Sequence, residues 1–81
     1  MFNWEDWVFR SVYKHSPLPN PRVAQECEKY GMRAVFDRSS RRYLIGSGDT
    51  LYGSVGDRLS ETDLEDAIAE LFVTGPFRSI P

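Results

Sequence analysis

"MRAVFDRSSRRYLIGSGDTLYGSV", residues 32–55, decides how this chain folds. Apolar and polar residues alternate in "MRAVFD" (32–37), "RYLIGS" (42–47) and "TLYGSV" (50–55), the period of two that strands require. Gly48-Asp49 separates the last two runs and suits a two-residue type II′ hairpin turn. Residues 38–41 join the first two, so the segment predicts a three-stranded antiparallel meander in which Asp37 faces Arg42 and Phe36 faces Tyr43. Glycines at 46 and 48 also raise the question of a phosphate cradle. A dinucleotide fingerprint needs a third glycine three residues further on, between strand and helix; Leu51 stands there instead, another strand-like run follows, and there is no Walker lysine.

The meander sorts its residues into two faces. If Ser47 sits opposite Thr50 in a regular ladder, Ile45 shares a side with Tyr52, and Leu44 shares the other with Gly53. Met32, Ala34, Phe36, Tyr43, Ile45 and Tyr52 then form one face, rich enough to receive helices. Arg33, Val35, Asp37, Arg42, Leu44, Leu51 and Val55 form the other, with Gly46 and Gly53 among them. Aliphatics mixed with arginine resemble an interface more than a core.

Helical periodicity flanks the meander on both sides. Ser60 caps a helix over 60–73 in which Leu64, Ala67, Ile68, Leu71 and Phe72 form the apolar stripe, with Glu61, Asp63, Glu65, Asp66 and Glu70 mostly solvated. Gly75-Pro76 stops it, leaving a tail at 76–81. Upstream, a helix over 21–30 has Asn20 as cap, Pro21 at its first position, Val23, Ala24, Cys27 and Tyr30 facing inward, and Gly31 as the residue that ends it. "SPLPNP" (16–21) is a stiff connector. Before it, "NWEDWVFRSVYKH" predicts a helix over 3–14, with Trp4, Trp7, Val8, Ser11 and Val12 on one side and Phe9 and Tyr13 on the other. The expected fold is therefore a single small α+β domain over 1–81: two N-terminal helices, the meander and a C-terminal acidic helix.

Composition narrows the function classes. With 41% hydrophobic and 14% aromatic residues among 81, the chain is an ordinary globular domain. Its single cysteine precludes an internal disulfide, and its single histidine leaves no zinc ligand set, so a reducing cytoplasm is the expected location. The N-terminus lacks a basic region and carries Glu5 and Asp6 in its apolar stretch, unlike a signal peptide. Residues 1–42 hold eight Lys or Arg against five Asp or Glu, and residues 43–81 hold two against seven, a polarity able to steer a charged partner.

Chemistry finds few footholds. His15 at a helix end and Cys27 on an apolar face do not assemble a nucleophile, base and orienter, so the chain is read as non-enzymatic and cofactor-free. The acids Asp57, Glu61, Asp63, Glu65 and Asp66 lack EF-hand spacing, so no metal is expected. Arg33, Arg38, Arg41 and Arg42, with Tyr43 beside them, form a basic hairpin able to meet phosphate. From Pro21 onward the order helix, three strands, helix is similar to that of double-stranded RNA-binding domains, which implies RNA binding. Those domains open their last helix with lysines, where this chain has "SETDLEDAIAE".

The reading that results is a protein-binding inhibitor, adaptor or regulatory subunit, of phage or other mobile-element type, directed at a nucleic-acid-handling protein. Its expected contacts are Arg33, Arg42, Leu44 and Leu51, then Arg38 and Arg41. The alternative is nucleic-acid binding through the hairpin over 33–42. A homodimer through a sheet edge or the Trp-bearing helix is a further expectation, and no membrane association is expected.

Overall fold

The computed structural model describes residues 18–75 and 78–80. Strands β1 (Arg33–Asp37), β2 (Arg42–Ser47) and β3 (Thr50–Gly56) form the meander. Asp37 pairs with Arg42, Phe36 with Tyr43 and Ser47 with Thr50, as the turn lengths dictate. Gly48 supplies the required positive φ of 60° while Asp49 does not, the type II′ pattern.

One part of the expected register is corrected. The β2/β3 ladder slips between Ile45 and Gly46, so Gly46 faces Leu51 but Ile45 faces Gly53, and Tyr52 is the extra residue of a bulge. A regular ladder would turn Val55 to the second face and Ser54 into the core. The bulge exchanges them: Val55 lies opposite Tyr43 and is fully buried, and Ser54 moves beside Leu44. Burying an aliphatic and returning a hydroxyl to the more polar face is the physical reason for the shift.

Helix α1 (Arg22–Glu28) starts where Asn20 Oδ1 accepts the Arg22 N–H at 3.0 Å. It ends in a Schellman motif: Gly31 takes φ 70°, its N–H donates to Glu28 O, and the Met32 N–H donates to Cys27 O. Helix α2 (Glu61–Thr74) starts at Ser60, whose Oγ accepts the Asp63 N–H at 3.2 Å. Its buried stripe of Leu64, Ala67, Ile68 and Leu71 meets Val23 and Cys27 of α1 over Phe36, Tyr43, Ile45 and Val55 of the sheet. Both helices thus cover the first face. Phe72 departs from the expected inward set: it is 43% exposed and packs at the rim of the core against Tyr30, at 5.0 Å, and Tyr52, at 6.4 Å.

The sheet has a fourth strand where the sequence predicts only a tail. β4 (Arg78–Ile80) runs parallel to β3, with Gly53, Ser54 and Val55 paired to Arg78, Ser79 and Ile80, giving the order β1-β2-β3-β4. Parallel neighbours need a long crossover, and α2 provides it. Three residues between prolines carry no readable period, so the strand exists through its partner and not through its own pattern. The helix expected over 3–14 lies outside the described residues, and α1 and α2 are the helices described. Among the described residues, no helix is long and apolar enough to cross a membrane.

Candidate functional site

The pairing builds the second face in three rows. Arg33, Gly46 and Leu51 form one, Val35, Leu44 and Ser54 the next, and Asp37, Arg42 and Gly56 the third. Val35, 4% exposed, is the centre of a small apolar cluster separate from the main core, with half-buried Leu44 and Leu51 packed against it. Four of the expected contact residues therefore share this face: Arg33, Arg42, Leu44 and Leu51. Arg33 is exposed at one end and Arg42 stands at the other, about 13 Å away along a strand rising about 3.3 Å per residue.

Arg42 is more than a contact candidate. Its Nε donates to Ser54 Oγ at 2.9 Å, and its Nη2 donates to the carbonyls of Ser54, at 3.2 Å, and Ile80. One guanidinium thus ties β2 to β3 and to β4. The sequence offered no signal for this role, because it depends on the unexpected strand and on the bulge that turns Ser54 outward.

The hairpin arginines divide between environments. Arg38 is exposed in the loop, where Asp37 accepts from Ser39 N–H, Ser39 Oγ and Ser40 Oγ at 2.8–3.0 Å. Burial pulls the Asp37 carboxyl upward, but these hydrogen bonds outweigh it and hold it below its ordinary range. Arg41 takes a left-handed φ of 57° and its Nε donates to Asp57 at 3.1 Å. An open groove of about 340 Å³ lies at this end of the sheet, lined by Ser40, Arg41, Arg42, Gly56, Asp57 and Arg58. Arg58 escapes a linear reading, since the pairing of Arg42 with Gly56 is what brings it there.

The remaining candidates have structural partners. Cys27 is fully buried, and burial first, then the Glu26 carboxylate, pushes its thiol up to about 12. A thiol so placed is not a nucleophile at neutral pH. Glu26, 6% exposed, receives Lys29 Nζ on both oxygens at 3.0 and 3.1 Å. Of the acidic set, Glu65 and Glu61 pair with Arg22, binding α2 to α1, and Asp57 holds Arg41. His15, Trp4 and Trp7 lie outside the described residues.

No protein-family model matches the chain, and no curated protein or solved structure is significantly similar to it.

Proposed function

We propose that this chain is a small, non-catalytic protein-binding module, acting as an inhibitor, adaptor or regulatory subunit through the second face of its sheet. The carrying observation is the separate cluster of Leu44 and Leu51 about Val35, on the face turned away from α1 and α2, with Arg33 at its border. An apolar centre bordered by arginine is a composition typical of protein interfaces. The acids Asp63 and Asp66, exposed on α2, support a basic partner of the kind that handles nucleic acid. Origin in a phage or other mobile element remains part of this reading.

The test compares captures by the wild type and by the Leu44→Asp/Leu51→Asp variant from nuclease-treated lysate of the source cells, with thermal melting measured for both. Loss of specifically retained protein from a variant that melts like the wild type supports the reading. Unchanged retention, or collapse of the variant because the face is internal core, sinks it.

A second reading rests on the groove. Three arginines around 340 Å³ suit a phosphate contact, and the partner would then be nucleic acid. Arg41→Ala/Arg58→Ala should weaken oligonucleotide binding and flatten its salt dependence. Absence of wild-type binding at low salt removes this reading.

A further inference from the structure

β1 is an edge of the sheet: β2 pairs it on one side, and no described strand lies along the other. A groove of about 180 Å³, lined by Ala24, Glu28, Met32, Arg33 and Ala34, opens between α1 and this strand, so α1 does not seal the edge. Within Arg33–Asp37 there is neither proline nor lysine, and its ladder to β2 has no bulge, so three of the usual guards against pairing are missing from the strand itself.

The direction of its backbone groups follows from the turn. Residues flanking a two-residue hairpin turn exchange hydrogen bonds, so Ser47 directs its backbone groups at Thr50 and β3. Alternation then turns Gly46, Leu44 and Arg42 towards β1, where Arg33, Val35 and Asp37 answer them. Ala34 and Phe36 are left to direct their N–H and C=O groups outward, along the edge that no described strand covers.

We propose that β1 pairs antiparallel with β1 of a second copy about a two-fold axis at Val35, joining two four-stranded sheets into one. In that register Ala34 and Phe36 exchange backbone hydrogen bonds with Phe36 and Ala34 of the second copy. Val35 meets Val35 in the close, non-hydrogen-bonded pair, and Arg33 faces Asp37 of the second copy on the same side of the sheet. Sequence complementarity selects this arrangement. Parallel pairing in register sets Arg33 against Arg33 and Asp37 against Asp37, a slip of one residue mismatches the outward groups, and a slip of two loses opposite-charge pairing. The contact is isologous and therefore closes at two copies. It goes beyond the partner-binding reading, which concerns a face and not an edge; pairing sets the Leu44 and Leu51 clusters of two copies into one continuous surface.

The test is sedimentation equilibrium of the full chain across protein concentration, together with amide hydrogen exchange at Ala34 and Phe36. The wild type is expected to dimerise, with both amides becoming more protected as concentration rises. Ala34→Pro removes an outward donor without touching the β2 ladder and should be a folded monomer. Arg33→Asp should weaken the dimer about tenfold, because the pair occurs twice per dimer, and added salt should narrow the gap to the wild type by screening both the lost attraction and the new repulsion. A wild type that stays monomeric to about 1 mM overturns the proposal. So does a dimer in which both amides exchange at a rate independent of concentration, a measurement that needs no variant to fold.

Discussion

Arg42 shows how one side chain can serve packing while standing on a candidate interface. Its three donor contacts to Ser54 and Ile80 are hydrogen bonds from a charged group, and such bonds contribute more than neutral ones. Arg42→Ala should lower unfolding stability by about 2 kcal/mol in urea titration, and Arg42→Lys should recover only part of it, since an ammonium cannot span the same acceptors. Cys27 gives a pH signature. Its thiol is held near 12 in the fold against about 8.5 in the unfolded chain, so the unfolded state ionises first as pH rises. The raised folded value means its contribution is complete below about pH 8.5 and is lost as pH climbs towards 12. Burial raises the Tyr43 phenol in the same direction and adds to the slope. Urea midpoints should therefore fall through the alkaline range, and Cys27→Ala, though less stable throughout, should show a shallower fall.

At the scale of elements, helix ends and turns were legible and ladder irregularities were not. Gly31, Ser60 and the Gly48-Asp49 turn could be placed because each performs a local task that few residues can. Among the described residues, a Cβ added at Gly31 would meet nothing within 4 Å, so Gly31→Ala isolates the cost of the left-handed backbone. A loss of about 1 kcal/mol is expected, read from the thermal midpoint. The bulge at Tyr52 obeys no local rule; the need to bury Val55 in place of Ser54 creates it. Deleting Tyr52 removes the extra residue and should leave a regular ladder in which Ser54 stays opposite Leu44 and Val55 stays opposite Tyr43. The measurable result is a melt that stays cooperative with near-ultraviolet circular dichroism retained; a broad melt with that signal lost would mean that the bulge itself holds the fold, and not the side of the sheet given to Val55. For the candidate face, Arg33, Leu44 and Leu51 were readable from period two alone, whereas the groove with Arg58 required the pairing itself.

Across the described residues, α1 and α2 cover one side of the sheet, and β4 completes the order β1-β2-β3-β4 through the crossover of α2. Removing residues 76–81 deprives β3 of its neighbour and Arg42 of the Ile80 carbonyl at once. The truncated chain should be less stable than the full one, and Arg42→Ala should cost less in it than in the full chain. A double-mutant cycle reads that coupling directly. Equal cost in both backgrounds would mean that the arginine acts on Ser54 alone.

The Arg42–Ile80 bond spans 38 residues, which gives it a meaning in time as well as in space. During synthesis the meander is finished long before its last strand exists, so β3 waits as a bare edge and the guanidinium waits without one of its acceptors. A chain that has reached Ile80 adds the third acceptor to the two that Ser54 already offers and covers the β3 edge in the same step.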